Sequence, residues 1–519
     1  MITGSLKTKV NAIWQEFYNE NMAQTNEIVN QLTTLMFIKM LDDKQNSIEH
    51  HASIIGIKPS QDELIFKDGN YKYYDIVNGE KLLKFEIPYE QLRWKNFQNL
   101  NSLDLAKRLK DYVYPFIKDV NNTAIGQFPY FAKKLNFGFD DKERLLTSVI
   151  DKLSDEEFNF NNTDLMGDVY EYMCGSGVSG QYRTPRHIID MAVEMMKPKL
   201  GEKIIDPAMG TAGFLIESAK YIKEHQKADL MNVKNSKIFN EDMFFGCDND
   251  SNMARIGYMN SILHGIKSPI ITTDSLLENE NAKDYLNQFD LVLANPPFSG
   301  SLVESAINGK ILSICKTGKT ELLFVSLMSM LLKPGGRCMT IVPDGVLQNT
   351  PAAYKKLRME LVEKQKLIGV VSMPNGIFMA PSKKGSSSKG AGVKTSFLIF
   401  EKTDNGGTDN VWFYNMTNDG FTLDVKRSPI EGSDIPDIIA RFNNLSEEFN
   451  RTRKDKSFMV SIDEIREKDY DLSFNKYKIV DIPRPTHRAT SEIFADIENT
   501  YEESKILLNS LKTMFSDEE

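Results

Sequence analysis

The chain has 519 residues and a formal net charge of −9, with 41% hydrophobic and 26% charged residues. This length predicts roughly three domains of ordinary size, and the composition is typical of a globular protein with ample core-forming residues. The net negative charge excludes an overall cationic surface for nucleic acid, so action on DNA would require a local basic surface or a partner to attract the phosphates.

Cysteine, histidine and apolar patterns exclude several further classes. The four cysteines are far apart and form no C-x-x-C pair, which predicts free thiols in a reducing compartment. The six histidines are dispersed, so a zinc site is not expected. No apolar run reaches the ~18 residues that cross a membrane, and the N-terminus has no signal-peptide core. We therefore expect a cytoplasmic protein that contacts neither membrane nor metal.

Residues 1–155 are predicted to form a mainly helical domain, because apolar residues recur there at helical spacing. Residues 57–97 interrupt this pattern with glycine, proline and aromatic clusters, which favours a small lobe or a long connection. Two roles stay open for the domain: a cap that closes over DNA or a partner, and a bundle that packs against a catalytic core. The helical stretches are 10–18, 28–43, 103–116 and 142–153.

From residue 200 the pattern changes to alternating strands and helices, which predicts an α/β fold with a doubly wound sheet covered by helices on both faces. We assign residues 156–430 to this catalytic domain and 431–519 to a C-terminal extension. The predicted strands are 203–206, 244–248, 270–273, 290–294, 338–342, 368–372 and 395–401. The predicted helices are 186–196, 214–225, 252–263, 321–332 and 353–364. A Lys/Ser/Gly-rich stretch, 381–390, is predicted to be a disordered loop, with phosphate contact as the alternative.

The strand 290–294 ends at two consecutive prolines, in the sequence Asn295, Pro296, Pro297 and Phe298. Proline removes a backbone donor and restricts the residue before it, so the strand must end there. The asparagine and the phenylalanine are thereby placed at the carboxyl edge of the sheet, where open α/β sheets bind ligands. An amide and an aromatic ring held together suit a planar, hydrogen-bonding group such as a nucleobase. The alternative is a proline turn whose phenylalanine packs in the core.

Polar features follow the three preceding strands as well. The glycine-containing loop 206–213 lets backbone approach a ligand at the start of a helix. Asp248 is placed to accept hydrogen bonds from ribose hydroxyls, and Asp274 could accept one from the amine of an adenine ring. No Gly-Lys-Ser/Thr sequence follows the loop, so a polyphosphate is not the expected ligand. A nucleoside without phosphates fits better, and S-adenosylmethionine is the commonest such cofactor.

A further motif, GQYRTP at 180–185, precedes the alternating strands and helices. Together with the loop that begins at Asp206 and the NPPF sequence, it resembles the motifs of N6-adenine DNA methyltransferases. Their order and spacing are similar to the modification subunit of type I restriction-modification systems, which implies a Rossmann-like S-adenosylmethionine-dependent methyltransferase sheet. The likeness extends from about residue 11 to the C-terminus and includes PDGVL at 343–347 and GVKT at 392–395. The three motifs are GQYRTP at 180–185, DPAMGTAGFL at 206–215 and NPPF at 295–298.

The resemblance implies methyl transfer to N6 of an adenine flipped out of the duplex. The amine would donate to the Asn295 side-chain oxygen and the Pro296 carbonyl, while Phe298 stacks on the base. Two positions depart from the family pattern: Ala212 replaces a common glycine, and Arg183 a common aromatic residue. The implied catalytic residues are Asn295, Pro296, Pro297 and Phe298. The implied cofactor-binding residues are Gly180, Gln181, Tyr182, Arg183, Thr184, Pro185, Asp206, Gly210, Thr211, Ala212, Gly213, Asp248 and Asp274.

The resemblance also implies partners: double-stranded DNA, one specificity subunit for two modification subunits, and restriction subunits in the full complex. Too few residues follow the sheet to form two target-recognition domains, so we expect sequence specificity to come from the specificity subunit.

The C-terminal amphipathic helix is predicted to dock a partner, with packing on its own domain as the alternative. Its apolar face comprises Ile493, Ile497, Tyr501, Leu508, Leu511 and Met514. Other readings are a stand-alone methylase, one acting on RNA or protein, and a catalytically silent cofactor-binding scaffold.

Overall fold

A computed structural model describes most of the chain and divides it into two compact units, Met1–Tyr477 and Lys478–Glu519. In the part of the chain that the structure describes, no helix is both long and apolar enough to cross a bilayer. The described residues are 4–20, 22, 25–56, 58–61, 64–77, 80–119, 137–158, 169, 172, 184–278, 281–378, 393–423, 427–480 and 489–516.

The N-terminal part of the first unit is mainly helical, as predicted. A hairpin of two antiparallel strands, β1 (Asn70–Val77) and β2 (Glu80–Pro88), lies in the stretch predicted to be a small lobe or connection. Tyr73 stacks on Phe85 across this hairpin, with ring centroids 5.2 Å apart. The helices are α1 (Gly4–Asn19), α2 (Thr25–Ile55), α3 (Trp94–Phe97), α4 (Ser102–Arg108), α5 (Tyr114–Asp119) and α6 (Glu143–Leu153), with a 3₁₀ turn at Tyr89–Leu92 and a π turn at Leu109–Val113.

Within the described residues, nine strands form one sheet in the order β11-β10-β8-β9-β7-β6-β3-β4-β5. The five adjacent strands β7, β6, β3, β4 and β5 are parallel to one another. The strands β9 and β11 are antiparallel to the strands beside them. The strands are β3 (Ile204–Asp206), β4 (Phe244–Cys247), β5 (Ile270–Thr272), β6 (Phe289–Ala294), β7 (Leu332–Pro343), β8 (Lys366–Ser372), β9 (Thr395–Glu401), β10 (Asn410–Asn415) and β11 (Ser457–Ser461).

The helices that follow the N-terminal part connect and cover these strands. Within the described residues up to Tyr477, the α-helices among them are α7 (Arg186–Met196), α8 (Gly213–His225), α9 (Lys227–Leu230), α10 (Val233–Glu241), α11 (Ser251–Leu263), α12 (Gly309–Ile314), α13 (Thr320–Leu331), α14 (Asp344–Gln348), α15 (Ala352–Met359), α16 (Ile435–Phe442) and α17 (Ile462–Glu467). The π turn Glu360–Lys364 continues α15, and 3₁₀ turns lie at Lys283–Tyr285, Glu304–Ala306, Leu445–Asn450 and Phe474–Lys476.

Alternating side chains divide the core into two layers, because successive residues of a strand face opposite sides of the sheet. Leu291 and Leu293 of β6 belong to one buried apolar cluster, and Val292 and Ala294 belong to the other. The first cluster includes residues of α2, α7, α8 and α11, and the second includes residues of α13 and α15. Helices therefore cover both faces, which confirms the predicted doubly wound α/β sheet.

Two details of the sheet differ from the sequence prediction. The strand expected at 338–342 begins at Leu332, directly after α13, because a register shift between Phe289 and Leu291 of β6 accommodates the residues around Pro334. The strands β10 and β11 were not predicted, and β11 continues the sheet beyond residue 430. The proposed domain boundaries at 155/156 and 430/431 stay predictions.

The second unit consists, in its described part, of residues 478–480 and a long helix, α18 (Thr490–Ser516). Apolar side chains along this helix are exposed, including all six residues of the predicted docking face. Its other positions are polar or charged, and Glu502 forms an ion pair with Lys505 one turn further along the helix. The amphipathic helix expected from the sequence is therefore present.

Candidate functional site

The two strands at the centre of the parallel part of the sheet define a crevice. From β3 the chain continues on one side to β4, and β6 lies on its other side. A ligand crevice opens where the strand order reverses in this way, outside the carboxyl ends of the strands. The motif residues 206–213 follow β3 and the motif residues 295–298 follow β6, so the fold brings two of the three motifs to this edge.

The loop after β3 is shaped by carboxylates that accept hydrogen bonds from backbone. Asp206 is 2% exposed, and its Oδ1 accepts from the Ala208 amide at 3.0 Å. Burial raises the pKa of Asp206 to about 8, and the nearby charge of Asp248 adds to the increase. The Oδ2 of Asp248 accepts from the Gly210 amide at 3.2 Å, and its Oδ1 accepts from the Asp250 amide at 2.9 Å. Both carboxylates thus hold the loop in a fixed conformation.

Helix α11 supports the same loop. The Asn260 side chain donates from Nδ2 to the Thr211 carbonyl at 2.8 Å. A Cβ on Gly257 would lie 2.7 Å from the Gly210 carbonyl oxygen, so the missing side chain lets α11 approach the loop closely. Ala212 adopts a left-handed φ of 63° and is fully buried at the start of α8. The departure from glycine at this position therefore leaves the turn intact.

Gly210 and Gly213 make different contacts within the loop. Gly210 also has a left-handed φ, 51°, and a Cβ placed there would meet nothing within 4 Å. At Gly213, the first residue of α8, a Cβ would lie 2.8 Å from Ile189 of α7. Gly210 consequently borders open space, whereas Gly213 permits close packing of two helices.

The polar residues predicted after β4 and β5 lie near each other. Burial raises the pKa of Cys247 to about 12, and the charges of Asp248, Asp206 and Asp274 act on it in the same direction. Burial also raises the pKa of Asp248, although two backbone hydrogen bonds oppose the increase. Asp274 is exposed, and its carbonyl accepts from the Cys247 thiol at 3.1 Å. Three carboxylates are therefore gathered at one end of the sheet.

The turn after β6 places an amide beside the start of α7. The half-buried Asn295 donates from Nδ2 to the Thr184 hydroxyl oxygen at 2.9 Å. Its Oδ1 is inaccessible to solvent and has no hydrogen-bond partner among the described residues. Buried polar atoms are nearly always hydrogen-bonded, so this acceptor requires a donor from outside the described residues.

The prolines and the aromatic ring complete the turn. Pro296 is buried and Pro297 is exposed, which places the turn at the surface of the sheet edge. The half-buried ring of Phe298 lies edge-on to Phe378, with centroids 5.6 Å apart and planes at 88°. It also packs against the apolar cluster on one face of the sheet. Packing holds the ring in place while part of it stays accessible.

Part of the third motif is outside the described residues, namely Gly180, Gln181, Tyr182 and Arg183. Thr184 and Pro185 are described, and Pro185 precedes the first residue of α7. The loop 381–390 is likewise outside the described residues. Among those that are described, no cluster of histidine, cysteine or carboxylate side chains could hold a metal ion.

Comparison with known proteins assigns this arrangement to a family. Residues 161–482 match the family model described as N-6 DNA Methylase, and residues 6–153 match the model described as HsdM N-terminal domain. The chain belongs to the N-6 DNA methylase family. The resemblance proposed from the motifs is thereby confirmed.

Relatives of this N-6 DNA methylase include type I restriction enzyme methylase subunits. The EcoEI subunit of Escherichia coli is 27% identical over 459 residues, covering 86% of this chain and 85% of that subunit. The StySJI subunit of Salmonella typhimurium is 32% identical over 383 residues, covering 67% of this chain and 69% of that subunit. The type I methyltransferase subunit from Streptococcus thermophilus superposes with a TM-score of 0.66 at 17% identity, covering 92% of this chain and 100% of that subunit, and shares its fold.

This N-6 DNA methylase has a polar cluster at α7 that sequence reasoning missed. The His187 ring stacks on Phe421 with centroids 4.4 Å apart, and its Nε2 lies 2.9 Å from the Asp419 carboxylate, which also pairs with Arg427. Burial opposes ionisation of Asp419, but hydrogen bonds from these two residues lower its pKa. The partners are 232 residues apart in the chain, so sequence alone gave no signal.

A second contact joins two segments that the resemblance included. The side chain of Asp344, just after β7, accepts from the Ser396 hydroxyl at 2.8 Å and pairs with Lys394 at 3.1 Å. These contacts connect PDGVL at 343–347 with the start of β9. In this N-6 DNA methylase the two segments therefore meet at the same end of the sheet.

Proposed function

We propose that this protein transfers a methyl group from S-adenosylmethionine to N6 of adenine in DNA, as the modification subunit of a type I restriction-modification complex. The observation that carries the proposal is the buried Oδ1 of Asn295, which has no hydrogen-bond partner among the described residues and lies at the switch point beside the loop after β3. An acceptor at this place suits an amine that must be held close to a methyl donor.

The residues after β3, β4 and β5 fit a phosphate-free nucleoside. Gly210 borders open space, so a ligand could approach its backbone without displacing a side chain. Each carboxylate oxygen of Asp248 accepts one hydrogen bond from backbone and has room for a second, from a ribose hydroxyl. Asp274 is exposed beside it and would accept from the adenine amine of the cofactor. When bound, S-adenosylmethionine supplies an activated methyl group on a sulfonium leaving group.

Asp206 and Ala212 would contribute indirectly, because both are buried. They fix the loop conformation on which the positions of Gly210 and Thr211 depend. Gly180, Gln181, Tyr182, Arg183, Thr184 and Pro185 complete the proposed cofactor-binding set.

Asn295 and its neighbours would orient the target. The lone pair of an adenine amine is delocalised into the ring, which makes the amine a poor nucleophile. Hydrogen bonds to Asn295 Oδ1 and the Pro296 carbonyl would favour a pyramidal nitrogen aimed at the methyl group. The Phe298 ring, held by Phe378, would stack on the target base, which must leave the duplex to reach this edge.

Partner subunits would supply the attraction for DNA that the net charge of this chain does not provide. With a net charge of −9, the chain offers no overall attraction for DNA phosphates. We assign the exposed apolar face of α18 to the specificity subunit, with two copies of this chain per specificity subunit and restriction subunits in the full complex. Charged positions on the rest of the helix are expected to stay at the rim of that interface.

The decisive experiment compares the full chain alone with the complex formed on co-expression with its adjoining reading frame. We expect labelled methyl groups from S-adenosylmethionine to reach N6 of adenine in DNA only with the complex. Replacing Tyr501 and Leu508 with Gln should prevent complex formation, whereas Glu498→Gln, on the polar face, should leave it intact. Activity of the chain alone would indicate a stand-alone methylase. An inactive complex that still bound the cofactor would indicate a silent scaffold.

A further inference from the structure

We infer that Thr184 is a positioning residue that holds the amide of Asn295 for the target amine. The inference rests on the proposed function and adds a role to a residue otherwise assigned only to the cofactor. Its basis is the 2.9 Å hydrogen bond from Asn295 Nδ2 to Thr184 Oγ1, between residues 111 positions apart in the chain.

The hydrogen bond determines where the amide oxygen points. The oxygen and the nitrogen of the asparagine amide lie in one plane, on opposite sides of the Cγ atom. A hydrogen bond that fixes Nδ2 on Thr184 therefore directs Oδ1 to the other side. That oxygen is buried and has no partner among the described residues. An unmet buried acceptor is unfavourable, and a donating amine from the substrate would relieve the cost.

Thr184 is itself held by rigid backbone. The proline that follows restricts the backbone of Thr184, and the Pro185 carbonyl accepts from the amides of Ile188 and Ile189 in the first turn of α7. Ile188 is fully buried, which anchors that turn in the core. His187, in the same turn, contacts the buried Asp419. The hydroxyl therefore occupies a defined position relative to β6.

Without the hydroxyl, the amide would lose this restraint. The terminal torsion of asparagine is broad, so the side chain would sample orientations in which Oδ1 faces away from the amine. Misplacement of a reacting group by about 1 Å can reduce a rate about 100-fold. Loss of the hydroxyl should therefore lower kcat far more than it weakens cofactor binding.

The test uses the complete complex with S-adenosylmethionine and DNA that lacks N6-methyladenine. Thr184→Val removes the hydroxyl while preserving size, and Thr184→Ser restores it. We expect Thr184→Val to lower kcat, measured at saturating S-adenosylmethionine, about 10- to 100-fold, and to raise the calorimetric Kd for S-adenosylmethionine by a clearly smaller factor. Thr184→Ser should stay within about threefold of wild type. The matched control is Thr147→Val, which removes a half-buried hydroxyl on α6 that donates to the Glu143 carbonyl of the same helix, and this variant should match wild type.

Several results would overturn the inference. They are an unchanged kcat in Thr184→Val, a loss confined to the Kd for cofactor, and a Thr184→Ser variant as slow as Thr184→Val. Thermal unfolding of each variant identifies a folding defect, in which case Thr184→Ala replaces Thr184→Val with the same expected results. A wild-type complex that binds cofactor but transfers no methyl group would refute the proposed function, and this inference with it. An active wild type with an equally fast Thr184→Val refutes the inference alone.

Discussion

The loop after β3 is held by two carboxyl side chains, Asp206 at the end of β3 and Asp248 just after β4, which accept hydrogen bonds from its backbone, whereas at the end of β6 the Asn295 oxygen accepts none from the described residues. Both strands are central and parallel, and both end in a turn rich in glycine or proline. The polar side chains at the loop after β3 fix the conformation of that loop. At the end of β6, the Asn295 oxygen can accept a hydrogen bond from a ligand. This difference predicts which substitutions should affect chemistry and which should affect binding or stability.

The largest effect is expected at the end of β6. Asn295→Ala removes the proposed acceptor for the target amine, and methyl transfer should fall about 1000-fold or more, as when a key transition-state partner is lost. Cofactor binding, measured by calorimetry, should stay within about threefold of wild type. Asn235→Ala, on α10, is the control and should retain full activity. Unimpaired transfer in Asn295→Ala would remove this residue from the mechanism.

A smaller effect, of a different kind, is expected at Asp248. Asp248→Ala removes the Gly210 anchor and the proposed ribose acceptor together, so affinity for S-adenosylmethionine should fall about 10- to 100-fold. The rate of methyl transfer should recover in large part at saturating cofactor, because Asn295 and the turn after β6 are unchanged in this variant. Asp229→Ala, an exposed carboxylate on α9, should leave the affinity unchanged. A loss of kcat that persists at saturating cofactor would contradict the assignment of Asp248 to cofactor binding alone.

The smallest effect concerns stability at Asp206 and depends on pH. Burial raises the folded-state pKa of Asp206 to about 8, so the folded chain binds this proton more tightly than the unfolded chain. Stability contributed by the protonated group is therefore complete at pH values below the unfolded pKa, near 4, and is lost as the pH rises toward 8. Asp206→Asn keeps the acceptor for Ala208 without the titration.

The melting temperature of Asp206→Asn relative to wild type should consequently increase between pH 5 and pH 8. Measuring both proteins by calorimetry in the same buffers cancels the titration of all other groups. A difference that does not vary with pH would mean that burial does not raise the pKa of Asp206 and that its carboxylate is ionised throughout this range.

Sequence reasoning predicted the sheet and its ligand edge because both depend on local patterns. Short apolar runs located β3 to β6 within one or two residues, and the prolines after Ala294 marked the end of β6. The same reasoning missed β10, and it missed β11, which lies within the stretch assigned to the C-terminal extension. Their assignment depends on pairing with β8 and with each other.

Within the site, sequence predicted which residues reach the edge but not how they are arranged. Asp248 and Asp274 were assigned as direct ligand contacts from strand order alone. That Asp206 is buried and bonds its own loop follows from packing that no local pattern records. The Thr184–Asn295 hydrogen bond likewise joins segments that only the fold brings together.

The exposed apolar face of α18 has a consequence for the cell as well as for assembly. A helix with side chains such as Leu508 and Leu511 more than half exposed is the kind of surface that chaperones and proteases recognise. If α18 docks the specificity subunit as proposed, copies of this chain made in excess of that subunit should be degraded faster than assembled ones. Balanced synthesis of the two chains would then control how much modification enzyme accumulates.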